Sequence, residues 1–107
     1  MIPRAARAGD AVGCGTCACT VIAEGCRTVL VEGSPVARVG DRTHDRDFAL
    51  GEGSATVRIG GQPAARVGDA STCRGVVLEH AQHTFVGGPP TRRAASMADL
   101  RTSGAEA

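Results

Sequence analysis

At 107 residues the chain is sized for one domain, since a second folding unit would leave neither with a core. Twelve basic and eleven acidic residues leave a formal net charge of +1, which excludes affinity for nucleic acid or an acidic membrane surface through charge alone. Aromatic content is 2%, and fifteen Gly and five Pro punctuate the chain, so the expected core is Val, Ile, Leu and Ala in short strands joined by turns, an all-β domain.

The chain opens on "PRAARAGD", residues 3 to 10, with no apolar stretch of the kind a secretory signal carries. No later run approaches the roughly 18 to 20 apolar residues that span a bilayer. The expectation is a chain made and kept soluble. "CGTCAC" follows at 14 to 19. Next, "EGCRTVLVEGSPVARVGD" at 24 to 41 lies over "EGSATVRIGGQPAARVGD" at 52 to 69 without a gap, at an offset of 28. A worn third strand, "HTFVGGPP", follows at 83 to 90.

Three units result, each opened by an Arg-x-Gly-Asp phrase, at residues 4 to 10, 35 to 41 and 63 to 69. Each runs through a variable loop into a short strand, at 28 to 31, 56 to 59 and 83 to 86. A repeat of this period describes one supersecondary unit stacked or set around an axis, and three such units predict a pseudo-threefold body. Alternation places Val29, Val31, Val57 and Ile59 toward the core, and Leu30, Arg58 and Phe85 on the opposite face. Gly-Gly or Gly-Ser before Pro predicts a tight turn with positive φ. Asp10, Asp41 and Asp69 are read as turn residues whose carboxylates cap nearby backbone N–H groups, not as catalysts.

Reactive side chains fall just after the Gly-Asp phrases: Cys14 four residues after Asp10, His44 three after Asp41, and Cys73 four after Asp69. Five Cys in a leaderless chain weigh against a disulfide framework and toward thiolate metal ligands. Three equivalent loops converging on an axis supply three ligands for a tetrahedral Zn²⁺, and Cys17 supplies the fourth through Cys14-x-x-Cys17. Cys19, His80 and His83 remain alternatives for that fourth place, and Asp45 an alternative to His44. Cys26 matches Ser54 in the repeat and is read as a packing residue. Four protein ligands leave no open position, so such a metal is structural. No Gly-x-Ser-x-Gly elbow, phosphate loop or His-Glu-x-x-His is present, and no enzyme is expected.

"PAARVGD" at 63 to 69, with "PVARVGD", "RAARAGD" and "TVRIGG", resembles the proline-alanine-alanine-arginine (PAAR) repeat family over roughly residues 2 to 90. The resemblance implies a small conical, metal-stapled β-structure that binds the blunt end of a trimeric spike, the valine-glycine repeat protein (VgrG) of type VI secretion or its counterpart in related contractile injection systems. It further implies a Zn²⁺ held by His and Cys near the apex, one tip per trimer, possible carriage of effectors, and a course from cytoplasmic assembly to secretion with the spike. Family members often carry His, commonly followed by Gly-Gly, in the post-Asp loop, whereas this chain is richer in Cys there. Residues 91 to 107 fall outside the repeat and are expected to form a short helix or a disordered tail. The alternative reading, a free zinc module for nucleic acid or protein, would need a basic, aromatic-bearing face. A small metalloenzyme would need an open metal position and a pocket.

Overall fold

Proline at the head of the second and third phrases fixes an extended φ, and the alanines that follow in all three carry too little side chain to keep the segments apart. In the computed structural model, which describes residues 2–14, 17–45, 48–72 and 75–94, the three segments meet around a common axis. The Ala37 N–H donates to the Ala6 carbonyl (2.9 Å), Ala65 to Ala37 (3.0 Å) and Ala6 to Ala65 (3.0 Å). A second cycle runs the other way: Ala8 donates to Pro35, Val39 to Pro63 and Val67 to Arg4, each at 2.9 Å. Two closed cycles through equivalent positions establish a pseudo-threefold all-β body, with no helix among the described residues. No helix among them is long and apolar enough to cross a membrane.

Ala6, Ala37 and Ala65 have no accessible surface. Overpacking a site of this kind costs about 1–3 kcal/mol. Ala37→Leu is therefore expected to lower the midpoint of chemical unfolding by that equivalent, and an unchanged midpoint would contradict so close an approach of the three segments.

Each segment is preceded by a strand. β3 (Cys26–Val31) pairs antiparallel with β4 (Ser34–Val36) through Glu32-Gly33, and β5 (Arg58–Ile59) pairs with β6 (Gln62–Pro63) through Gly60-Gly61. Both turn residues have positive φ in each hairpin, 51° and 85° in the first, 59° and 84° in the second, the pattern of the type I′ turn that suits strand twist. The third strand closes the ring on the start of the chain. Phe85 pairs with Arg4, Ala5 N–H donates to the Thr84 carbonyl (2.8 Å) and Val86 N–H to the Pro3 carbonyl (2.9 Å). Leu30↔Pro35, Arg58↔Pro63 and Phe85↔Arg4 are thus one contact made three times.

The strands differ in extent from the expected ones. β3 starts two residues earlier, β5 keeps only Arg58 and Ile59, and the third reduces to a single bridge. Val31 is buried as expected, but Val29 is 38% exposed. The reason is a register shift in β3 between Cys26 and Leu30, which breaks the alternation that would have turned Val29 inward. Leu30 and Phe85 are exposed, as their face requires.

The core has two levels along the axis. On the hairpin side, Ala5, Val36 and Ala64 pack with Val31, Val86, Cys26 and Ala81, and with partly buried Val57 and Ile59. Cys26, Ser54 and Ala81 hold one repeat position and are all buried, so a small side chain is what that position demands. On the other side, Ala6, Ala37 and Ala65 pack with Val12, Ile22, Leu50 and Val77.

Beyond this second level, β1 (Ala11–Cys14) lies between β2 (Cys17–Val21) and β7 (Val76–Val77). The loops after the three Asp residues join pairwise through Ile22↔Thr43, Leu50↔Ser71 and Val12↔Val77, a further cycle of three equivalent contacts.

One hairpin turn carries an added clamp. Glu32 accepts from the Gln82 N–H (2.7 Å), the His83 N–H (2.8 Å) and the Thr84 hydroxyl (3.1 Å), and these bonds hold its carboxyl below the usual range. A group whose pKa falls on folding contributes stability above its unfolded pKa and loses it as pH falls through the folded value. Amide exchange at Gln82 and His83 should therefore speed up selectively below about pH 4, and Glu32→Ala should abolish that acid dependence; equal protection in the variant would count against the clamp.

The segment after the repeat also packs. Thr91 N–H donates to the Gly53 carbonyl (2.8 Å), Ala94 N–H to the Gly51 carbonyl (2.9 Å) and Ala55 N–H to the Pro89 carbonyl (2.8 Å). Residues 89 to 94 thus run antiparallel to 51 to 55, with Ala94 buried. The expected tail helix around "AASMADLR" falls almost wholly outside the described residues.

Candidate functional site

The repeated Arg-x-Gly-Asp phrase is a turn locked three ways. Asp10, Asp41 and Asp69 each donate their N–H to the carbonyl of the Arg three residues earlier at 3.0 Å, with Gly9, Gly40 and Gly68 between at φ of 95°, 93° and 85°. The same Asp carboxylates accept the N–H of Arg7, Arg38 and Arg66 at 2.8, 2.8 and 2.9 Å. Each also pairs with its guanidinium through both oxygens. Every carboxylate oxygen is thus engaged inside the turn, and none is aimed at a substrate.

The three pairs differ in burial. Arg7 and Arg38 keep 20% and 22% of their side-chain exposure, whereas Arg66 keeps 4% and Asp69 8%. Arg66 also donates to the carbonyl of Gly88 (2.8 Å) at the end of the third strand. Burial pushes the Asp69 carboxyl up, against the pull of the Arg66 contacts.

Another cycle escaped sequence reasoning. Glu24 accepts the N–H of Arg42, Glu52 that of Ala70 and Glu79 that of Ala11, each at 2.9 Å. Every unit therefore ties down the residue after the next Asp with a glutamate. The signal was present in the "EG" shared by residues 24–25 and 52–53, with Glu79 as the third member.

The post-Asp loops carry the expected metal ligands. They leave the cycle of bridges at Val12, Thr43 and Ser71, and the expected ligands follow at Cys14, His44 and Cys73, one or two residues farther along. Cys14 and Cys17 are directly paired across β1 and β2; for these two and Cys19 the description covers the backbone alone. His44 is exposed, and its N–H donates to the Val21 carbonyl (2.9 Å), which holds its loop against β2. Cys73 lies outside the described residues, between Ser71 and Gly75, whose backbones are joined at 2.8 Å. The alternatives stand elsewhere: His83 lies within the segment clamped by Glu32, and His80 precedes it. Asp45 shares the His44 loop, with its N–H 3.4 Å from the Thr20 hydroxyl. Among the described residues no three His, Cys, Asp or Glu side chains gather into a metal cluster. A donor set of thiolates and one imidazole on loops from one end of a threefold body has the chemistry that Zn²⁺ prefers.

Residues 3–45 match the family model described as the PAAR motif, which spans the first Arg-x-Gly-Asp phrase, its loop and the whole second phrase. Over these residues the chain matches the PAAR-repeat family. A search of curated proteins found no match. PAAR-repeat proteins form a structural family of type VI secretion spike tips. In this PAAR-repeat protein the family's Arg makes the ion pair inside the turn, and its second Ala forms the ring on the axis.

Proposed function

We propose that this PAAR-repeat protein caps the blunt end of a trimeric VgrG-like spike as a non-enzymatic tip, with one chain per trimer and a structural Zn²⁺ bound by Cys14, Cys17, His44 and Cys73. The observation that carries the reading is the closed cycle of equivalent contacts around one axis: a single chain presents three similar sides, which three identical subunits can meet. Assembly would begin in the cytoplasm and end with delivery at the head of the spike.

The two ends of the axis differ in chemistry. The proposed metal donors belong to the post-Asp loops, and bound Zn²⁺ would crosslink those loops into a rigid point. The hairpin side exposes Leu30 and Phe85 at 60% and 51%, with Ile2 at 58% beside the Phe85 strand and Arg58 at the third equivalent position. Exposed apolar side chains in symmetric array mark a contact surface, so this side faces the spike. Arg4 covers one face of the Phe85 ring at 5.1 Å and holds it for contact.

Leu30→Glu and Phe85→Glu test the docking side, because neither residue contributes to a buried core. Each should leave the unfolding midpoint nearly unchanged and weaken spike binding by about tenfold or more, equivalent to about 1.4 kcal/mol. Wild-type affinity in both variants would place the interface elsewhere.

A further inference from the structure

The pseudo-threefold repeat supplies three equivalent backbone edges, at residues 23–27, 51–55 and 78–82, and the chain treats them differently. Residues 89–94 cover the second. There the Gly51 carbonyl accepts from Ala94, the Gly53 carbonyl from Thr91, the Gly53 N–H donates to the Thr91 hydroxyl (3.1 Å), and Ala55 N–H donates to Pro89. Gly51 and Gly53 are buried by this cover, and a Cβ on Gly51 would stand 2.5 Å from the Ala94 carbonyl oxygen.

The third edge has changed. Leu78, His80 and Gln82 replace Gly51, Gly53 and Ala55, the Gln82 N–H is taken by Glu32, and beside Arg7 and Asp10 a cavity of about 430 Å³ remains. A strand cannot repeat the tail's hydrogen bonds there.

The first edge keeps what the tail uses. Gly25 stands where Gly53 stands and Glu24 makes the same bond to the next unit as Glu52 does, while Ala23 brings a methyl to the place of Gly51, so a strand laid here stands off at that end. Ala23, Glu24 and Arg27 are exposed, and the Gly25 N–H has no hydrogen-bond partner among the described residues. Gly25 is held to glycine from within, since a Cβ there would stand 2.8 Å from Pro35, as one on Gly53 would stand 2.7 Å from the Ala64 carbonyl oxygen. An uncovered edge whose twin is covered by a strand in the same molecule is an addition site with a known ligand type.

We propose that residues 23–27 accept an extended peptide strand from another polypeptide, laid antiparallel as residues 89–91 lie on 53–55 and standing off at the Ala23 methyl. The occupant has the chemistry of that tail: a small residue opposite Ala23, a threonine hydroxyl within reach of the Gly25 N–H, and a proline at the end near Arg27. The inference rests on the repeat geometry and is independent of spike docking and of zinc.

The test is titration of the full-length, amide-labelled protein with a synthetic peptide of residues 88–95, Gly-Pro-Pro-Thr-Arg-Arg-Ala-Ala, followed by nuclear magnetic resonance and amide exchange. Expected are saturable shifts at Ala23 to Arg27 at peptide concentrations up to about 1 mM, with Gly25 exchange slowed by about tenfold. A control peptide N-methylated at the Thr and at the first Ala lacks the two donors that meet the strand carbonyls and should bind nowhere near 23–27. Shifts confined to 51–55, showing only exchange with the chain's own tail, would overturn the proposal. So would equal binding of the methylated peptide, or no shift at 23–27 at the highest concentration.

Discussion

Asp69→Ala is expected to be among the most damaging single substitutions in this protein, with a loss of about 3–5 kcal/mol. Arg66 and Asp69 are the most buried of the three equivalent pairs. Removing the carboxylate strands a guanidinium at 4% side-chain exposure and also frees the Arg66 N–H that the same oxygen accepts. The remaining Arg66 bonds, to the Val86, Gly87 and Gly88 carbonyls, cannot balance the charge. Asp10→Ala and Asp41→Ala remove the same bonds, but Arg7 and Arg38 reach water, so losses of about 1–3 kcal/mol are expected there. Chemical unfolding of the three variants side by side checks the order. Equal losses at all three positions would show that burial does not set the strength of the turn.

The second large effect is that of metal removal. Two Phe and no Tyr or Trp leave a core built from small aliphatic side chains, and fifteen glycines raise the entropy lost on folding. A structural Zn²⁺ in a small domain contributes on the order of 10 kcal/mol, enough to decide whether the post-Asp loops hold their shape. Chelation should therefore lower the melting temperature sharply, with loss of amide protection starting at the β1 and β2 ends and at His44. Changing Cys14, Cys17 and Cys73 singly to Ser, and His44 to Ala, should reduce zinc content below one per chain in each case. Full zinc and undiminished stability in all four would remove this ligand set.

The parts of the fold legible in the sequence were those the backbone itself demands. Type I′ turns need positive φ, which wrote Gly60-Gly61 and Gly33 into the chain, and the Arg-x-Gly-Asp turn needs its glycine and its capping carboxylate at fixed spacing. Cys26 was readable as a packing residue because Ser54 holds the same slot. Strand extent was not readable, since the bulge in β3 that exposes Val29 leaves no mark in the local pattern. Ring closure between Phe85 and Arg4 was also hidden, because its partners stand at opposite ends of the repeat and share no turn signal. The Arg-Asp pairing is hidden for a different reason: an Asp after Gly reads as a cap for backbone N–H, and the guanidinium three residues earlier carries no separate signal. Of the candidate metal site, the spacing assigns its residues to equivalent loops, and the cycle Ile22↔Thr43, Leu50↔Ser71 and Val12↔Val77 brings the starts of those loops to one end of the axis, with Cys73 outside the described residues.

Threefold pseudo-symmetry has meaning for function only if the partner is a trimer. The most direct measurement is native mass spectrometry of this protein co-purified with a candidate trimeric spike. One chain per spike trimer is the predicted composition, with no further uptake when the chain is supplied in excess. Two or three chains per trimer would mean that each subunit binds its own copy, and the account of one body with three sides would be wrong.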